Sequence, residues 1–351
     1  MDKQTYIEQL KKALESKTTD VNVEKIIEYY EQYFDDDMDF GKSADEVAEE
    51  LGNPEELAAE VLAGIQLKAV DLFTCEENVR MIDVALLDIR VHLVFSERSE
   101  VSVTYQGTDE YDPNLLNIEY KSNHLRILQR ANRIMQWSNM KKNEQKPYLL
   151  IELPKTYKGK LMVKTRDSRI IVDGKYFETK VHFHLSSKNA KIECNELYCK
   201  DVEAISEHGR IKMSRCTMKM MDLENRTGRI EVEKCYANYI QAKSIDGRIM
   251  VTKSKIELAE LENTDGRIII NESPIDDCRM QSEDGRISYE LLEGNDGIHL
   301  DLLSRQGKVL VNNEKLPKGI LAIKDIKPKK KEKRYLNIYA RTSTGRIEIT
   351  H

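Results

Sequence analysis

A short phrase, in which a polar residue is followed by Gly-Arg-Ile, recurs every 19 residues and constrains the fold more than any other feature. The complete copies place their glycines at Gly209, Gly228, Gly247, Gly266 and Gly285. Partial copies continue the series, with Ser168 and Ala190 before it and Gly307 and Gly345 after it. The last two are 38 residues apart, or two intervals, and a lysine-rich insertion lies between them. A constant interval indicates units that stack on one another.

Each copy carries the apolar pattern of two short strands. The second and fourth residues after the glycine are apolar, as in Ile230 and Val232, and another apolar pair precedes it, as in Met221 and Leu223. Alternation with a period of two buries one face of a strand. One unit cannot bury that face alone, whereas stacked units can. The sequence therefore predicts a mainly β chain, a right-handed parallel β-solenoid of 19-residue coils.

The repeated glycine is predicted to form the corner between the two strands of each coil. Glycine adopts a positive φ without strain, and the Asp or Thr that precedes most copies is common in turns. We therefore expect a structural role for Gly209, Gly228, Gly247, Gly266 and Gly285, with a positive φ at the corner.

A small all-α domain is predicted before the solenoid, over residues 1–66. Apolar residues at helical spacing indicate helices over residues 3–16 and 23–34. Ser43 and Glu46 form the Ser-x-x-Glu pattern of a capping box and begin a third helix, which Gly-Asn-Pro at 52–54 interrupts. This domain has 18 Asp and Glu against 6 Lys, so it is strongly acidic, whereas the remainder is basic.

The pattern divides the chain into a helical domain, 1–66, a linker, 67–78, and a β-solenoid, 79–351. Within the solenoid, 79–165 reads as irregular N-terminal coils or a cap, and 166–351 as regular repeats. The N-terminus lacks the apolar segment of a signal peptide, and no stretch approaches the length of a membrane span. A cytoplasmic location is expected, with membrane or envelope association left open.

Two parts of the sequence resemble known bacterial families. Residues 29–35, 41–43 and 50–58 resemble the HAAS signalling domain over about residues 1–66, which implies an adaptor or sensor, often in membrane or envelope-linked proteins of Firmicutes. Residues 153–157, 161–163 and the Gly-Arg-Ile corners resemble the "putative adhesin" β-strand-repeat family over about residues 79–350. That resemblance implies a link to cell-envelope stress responses or surface attachment.

The arginines after the corner glycines are the candidate binding residues, because stacking aligns them in a column: Arg210, Arg229, Arg248, Arg267 and Arg286. Cations about 4.8 Å apart repel one another unless acids or a polyanion lie beside them. In one interpretation, Asp246, Asp265 and Asp284 pair with the arginines in a structural ladder. In the other, the column is a basic stripe for an anionic envelope polymer, phospholipid headgroups or the acidic helical domain.

The cysteines and histidines favour structural roles. Cys216 and Cys235 are 19 residues apart and should stack, a spacing that permits a disulfide, although a reduced apolar pair is favoured. His182 and His184 share a strand face, but two ligands without a third make a weak metal site. No metal and no cofactor are predicted.

The sequence favours a non-catalytic interaction scaffold, with a protein partner bound through residues 1–66, in cell-envelope stress signalling. A surface adhesin or envelope-polymer binder is the alternative. A polysaccharide-acting β-helix enzyme is a minor alternative, because a catalytic site would interrupt the repeat locally, whereas Asp and Arg here belong to the repeat itself. The basic run at 328–334 reads as a solvated loop or a contact with an anionic membrane. Nucleic acid is disfavoured because aromatic residues are not interleaved with the cations. The oligomeric state stays open.

Overall fold

The computed structural model describes residues 2–17, 23–39, 42–65, 68–76, 79–107, 111–130, 147–291, 297–317, 319, 321–327 and 335–350. The chain divides into a helical unit and a β unit, each with its own hydrophobic core. The predicted basic run at 328–334 lies outside the described residues. Among the described helices, none combines the length and apolar character required to cross a membrane.

The helical unit contains four described helices: α1 (Lys3–Lys17), α2 (Val23–Asp39), α3 (Ala44–Leu51) and α4 (Pro54–Ile65). Ser43 and Glu46 form the predicted capping box at the start of α3, each side chain bonding the other residue's backbone N–H. The predicted break also occurs, because α3 ends before Gly52 and Pro54 begins α4, where its missing N–H costs nothing. Tyr6, Leu10 and Phe34 are buried in the core of this unit.

The β unit is built from two long sheets of mainly parallel strands. Sheet A contains, in spatial order, β1 (Lys68–Cys75), β4 (Val101–Gly107), β7 (Tyr148–Pro154), β3 (Arg90–Ser96), β9 (Ile170–Asp173), β11 (Ile192–Asn195), β13 (Ile211–Ser214), β15 (Arg229–Glu233), β17 (Arg248–Thr252), β19 (Arg267–Asn271), β21 (Arg286–Glu290), β27 (Ile347–Thr350), β23 (Val309–Val311) and β24 (Glu314–Leu316). Sheet B contains β25 (Ala322–Ile326), β22 (Gly297–Ser304), β26 (Tyr335–Thr342), β20 (Ile275–Ser282), β18 (Lys255–Asn263), β16 (Tyr236–Ser244), β14 (Thr217–Asn225), β12 (Asp201–Ser206), β10 (His182–Ser187), β8 (Lys160–Thr165), β2 (Met81–Leu86), β6 (His124–Gln129) and β5 (Leu116–Lys121).

Equivalent residues of successive repeats lie side by side, as the 19-residue interval predicts. Ile230 pairs with Ile249 and Ile249 with Ile268 in sheet A, and Met221 pairs with Ile240 in sheet B. These inward side chains are fully buried and form one continuous core. The predicted mainly β fold with a parallel β-solenoid and a small helical domain is confirmed.

The order of the coils in space differs from their order in the chain at both ends. β26 lies between β20 and β22, and β27 lies between β21 and β23, so the final coil is inserted beside the coil of Gly285. The corner sequence is therefore Gly285, Gly345, Gly307 rather than the sequential order that the spacing suggests. At the other end, β2 lies between β6 and β8, and β3 lies between β7 and β9.

The structure also corrects the predicted linker. The interval 67–78 contains β1, which forms the edge of sheet A. Antiparallel strands finish the other edges: β5 pairs with β6, β24 with β23, and β25 with β22. Such short antiparallel strands cover the backbone groups that the last parallel coil would otherwise expose.

The corner glycines are required for close approach, which corrects the expected positive φ. Among the described glycines, only Gly52 and Gly319 have a positive φ. At Gly247, an added Cβ would lie 1.8 Å from the carbonyl oxygen of Gly228 on the preceding coil. Positive φ values occur instead at the second corner, after the sheet A strand, at Glu196, Arg215, Lys234, Lys253 and Glu272.

A buried polar column fastens the glycine corners. The residue three positions before each glycine accepts its N–H, as Ser206 does from Gly209 at 3.0 Å and Ser244 from Gly247 at 3.1 Å. Where asparagine replaces serine, its amide also bridges to the preceding coil. Asn225 donates to the Gly209 carbonyl at 2.6 Å while accepting from the Gly228 N–H.

Candidate functional site

The predicted arginine column is present on the outer side of sheet A. Arg229 pairs in register with Arg248, Arg248 with Arg267, and Arg267 with Arg286. Because they are the first residues of their strands, the guanidinium groups lie beside the glycine corner. Neighbouring backbones in such a column are about 4.8 Å apart, so each pair of charges at that spacing costs about 1 kcal/mol in water.

Part of the column is neutralised by glutamates from the adjacent coil. In each case the arginine stacks on a residue of the adjacent coil, and the glutamate lies two residues after that stacked residue. Arg169 contacts Glu193 at 3.7 Å, Arg210 contacts Glu231 at 3.5 Å, and Arg286 contacts Glu348.

Three consecutive arginines lack such a partner. The positions that would supply a glutamate to Arg229, Arg248 and Arg267 hold Met250, Ile269 and Ser288 instead. Within the described part of the chain, none of these three guanidinium groups has a carboxylate oxygen within the 4.0 Å limit of an ion pair. We call Arg229, Arg248, Arg267, Met250 and Ile269 the bare arginine face.

The expected Asp–Arg ladder does not form. Asp246, Asp265 and Asp284 precede the corner glycines, but no ion pair joins them to an arginine of the column among the described residues. Asp284 instead accepts a hydrogen bond from the Thr344 hydroxyl at 2.6 Å. The glutamates form the pairs because they extend from the same outer surface of sheet A, whereas the aspartates lie in the preceding turn.

His182 and His184 are occupied by carboxylates from the next coil. His182 lies 2.7 Å from Asp201, and His184 lies 2.7 Å from Glu203. No group of three or more potential metal-ligating side chains occurs in the part of the chain that the structure describes. Further along sheet B, burial raises the pKa of Asp222, and the nearby Glu203 and Glu224 raise it further.

The cysteines are free thiols in the structure. Cys216 and Cys235 stack as predicted, and the Cys216 backbone N–H donates to the Cys235 sulfur at 3.4 Å. Ser254 and Ser273 continue the column and accept the equivalent N–H from the preceding coil, each at 3.0 Å. A small side chain that accepts a hydrogen bond is therefore what this position requires.

The sequence identified the arginine column but missed what distinguishes its members. The signal was present two residues after each arginine, where the consecutive Met250, Ile269 and Ser288 lie between Glu231 and Glu348 in the column. This signal can be interpreted only if the glutamate partner of each arginine is known to come from the adjacent coil. It also requires that the coil next to Gly285 in space is the one that contains Glu348.

Two sheets of stacked parallel strands with a repeated glycine corner define a β-solenoid scaffold. A family model described as Toastrack DUF4097 matches residues 79–320, and one described as HAAS matches residues 5–60. The chain belongs to the Toastrack DUF4097 family and carries a HAAS domain at its N-terminus, which confirms both resemblances. No curated protein matches the chain.

Several solved structures are similar to this chain at low identity. A "putative adhesin" from Bacteroides fragilis is 14% identical, with a TM-score of 0.39 over 81% of this chain and 97% of that chain. A "putative adhesin" from Parabacteroides merdae is 12% identical, with a TM-score of 0.43 over 81% and 95% of the two chains.

Proposed function

We propose that this protein is a non-catalytic interaction scaffold whose bare arginine face binds another protein. The observation that carries the proposal is the loss of the glutamate partner at three consecutive coils. Arg169, Arg210 and Arg286, elsewhere in the same column, keep theirs. The repeat therefore supplies the scaffold, and the local departure from the repeat supplies the site.

The composition of the bare arginine face supports a protein partner. Protein interfaces are enriched in Arg and Met, and their centres are poor in acids and lysine. Met250 and Ile269 are half-buried and adjacent in register, with the arginines two residues away on the same strands. Free guanidinium groups can form paired hydrogen bonds to carboxylates, so the matching surface would be apolar with acidic residues at its edge.

The helical domain supports an adaptor role in the same protein. HAAS domains, as the resemblance implies, act in signalling, and we propose that residues 1–66 contact a second protein partner. We propose cell-envelope stress signalling as the setting, because the HAAS resemblance implies an adaptor or sensor and the adhesin-family resemblance implies a link to envelope stress responses. Exposed Tyr29 and Met38 on α2 give this domain apolar surface that such a contact would cover.

The test is site-specific photo-crosslinking of the full chain in its own bacterium. The crosslinking residue replaces Met250 in one strain and the exposed Lys308 in a control strain. We expect one protein to be captured from position 250 and not from 308. Capture of envelope polymer from position 250 would favour the adhesin alternative, and equal capture from both positions would contradict a specific face.

A further inference from the structure

A second charged surface follows the second corner, where each coil turns into sheet B. Lys158, Lys180, Lys200 and Lys219 belong to the four consecutive coils of β8, β10, β12 and β14. Lys160 pairs with His182 in register, and Lys158 and Lys180 lie two residues before Lys160 and His182, respectively. The backbone N–H of Lys219 donates to the Lys200 carbonyl at 3.0 Å, which fixes these two neighbours. We call these four residues the lysine row.

The lysine row is exposed and lacks local neutralisation. All four side chains are exposed, and none lies within 4.0 Å of a carboxylate oxygen among the residues that the structure describes. The row is also not part of the repeat, because the following coils have Asn238 and Glu257 at the equivalent place. Four exposed cations on consecutive coils are thus a local feature, and none of them has a carboxylate partner among the described residues.

Aromatic side chains run beside the lysine row. Tyr198 lies two residues before Lys200 and is 41% exposed. It is aligned through Thr217 with Tyr236, which is 38% exposed. Tyr198 and Lys200 are both exposed, and the buried Cys199 lies between them in the chain. The ammonium of Lys255 lies 5.9 Å from the Tyr236 ring centroid, at the far end of this aromatic line.

Two open grooves adjoin the lysine row at Lys158. One, of about 730 Å³, is lined in part by Arg80, Lys158, Lys160 and His182, with Glu76 as its acid. The other, of about 420 Å³, is lined in part by Lys180 and Phe177, with Glu178 as its acid. Cations outnumber acids in the first groove, and both are continuous with the row because they share Lys158.

We propose that the lysine row and its tyrosines bind an acidic polysaccharide lying along the solenoid. The coil rise of about 4.8 Å sets the interval between cations. An extended uronic acid chain carries one carboxylate per sugar at a similar interval, so each lysine meets one carboxylate. The flat faces of the sugars then pack on Tyr198 and Tyr236, and the grooves at Lys158 receive the end of the bound segment.

Other anionic partners fit this surface less well. A poly(glycerol phosphate) chain has no sugar face to cover a tyrosine ring. An anionic bilayer would contact lysines and aromatic residues, but it would leave the two grooves empty. A polysaccharide is the partner that uses the cations, the rings and the concave surface together.

The experiment is affinity electrophoresis of the full chain in native gels that contain polygalacturonate. We expect the polymer to retard the protein, and fully methyl-esterified polygalacturonate, which lacks the charge, to have little effect. Lys200→Gln combined with Lys219→Gln should weaken retardation by about tenfold. Tyr198→Ala should also weaken it, because the sugar contact is lost while the charge is unchanged.

A matched control separates site binding from general charge. Lys308→Gln combined with Lys315→Gln removes the same charge from exposed positions elsewhere. We expect that variant to behave as the parent protein. Equal weakening in both double variants, or no retardation of the parent, would overturn the proposal. So would equal binding of poly(glycerol phosphate) or of phosphatidylglycerol vesicles that is insensitive to Tyr198→Ala.

Discussion

Replacing Gly247 with alanine tests the close contact between coils on which the solenoid depends. The new Cβ would lie 1.8 Å from the Gly228 carbonyl oxygen, whereas real Cβ atoms almost never come within 3.0 Å of another heavy atom. The obstacle is backbone, so the two coils must separate by about 1.2 Å, the difference between these distances. That movement weakens three hydrogen bonds between the coils: Ile245 N–H and Asp246 N–H to the Arg226 carbonyl at 3.2 Å and 2.9 Å, and Arg248 N–H to the Gly228 carbonyl at 3.3 Å.

Three weakened bonds at about 1 kcal/mol each, with residual strain of about 1 kcal/mol, lower the free energy of unfolding by about 3–5 kcal/mol. The assay is urea unfolding followed by far-UV circular dichroism, with both the midpoint and the slope recorded. Ala190→Gly, at an earlier corner of the same stack, is the control and should cost about 1 kcal/mol or less. A loss below about 1 kcal/mol in Gly247→Ala, with an unchanged slope, would refute this explanation of the glycines.

Further predictions concern the buried polar groups. Asn225→Ala should lower the free energy of urea unfolding by about 2 kcal/mol, because the Gly209 carbonyl and the Gly228 N–H both lose a partner. Asn225→Ser should lower it by less, and equal losses would be inconsistent with a bridge from Asn225 to the preceding coil. Burial lowers the pKa of His92, although Asp173 opposes this shift. Below the ordinary pKa of 6.5 the unfolded state therefore binds more protons, and the free energy of unfolding decreases as the pH is lowered. The dependence, at most about 1.4 kcal/mol per pH unit, should be weaker in His92→Gln; an unchanged dependence would exclude His92 as its source. Burial raises the pKa of Cys278, and only Cys75 is partly exposed, so a thiol reagent at pH 8 should modify about one cysteine before unfolding and all of them after it.

The sequence was sufficient for the features that repeat. The interval between Gly228 and Gly247 predicted which residues stack, and the alternation at Ile230 and Val232 predicted which face is buried; both agree with the observed register. The Ser43–Glu46 capping box and the break before Pro54 were also readable, because each depends on neighbours only a few residues away.

Features that depend on contacts between coils could not be read in the same way. The insertion of the last coil next to Gly285 follows from strand pairing across 60 residues, which a periodic pattern does not encode. The reason for glycine at the corner likewise lies in the carbonyl of the preceding coil rather than in its own φ. Arg286 pairs with Glu348 only because of that insertion. The sequence alone therefore did not show that Arg286 has a glutamate partner whereas Arg267 lacks one.

Both proposed surfaces occur where the pattern of a column changes. The bare arginine face lies where Met250 and Ile269 occupy the glutamate position. The lysine row lies in earlier coils, which have lysine where the later coils have Asn238 and Glu257. A parallel β-solenoid tolerates such changes on its outer surface because the core and the hydrogen-bonded backbone are unaffected. Function can therefore be placed on the scaffold without disturbing its fold.

We propose that the arginines without a glutamate partner, rather than the arginine repeat as a whole, bind the protein partner. The most direct measurement compares two triple variants in the photo-crosslinking experiment with the crosslinking residue at position 250. One variant replaces Arg229, Arg248 and Arg267 with glutamine, and the other replaces the paired Arg169, Arg210 and Arg286, so both lose the same charge. We expect capture to be lost in the first and kept in the second. Equal capture in the two variants would contradict the claim.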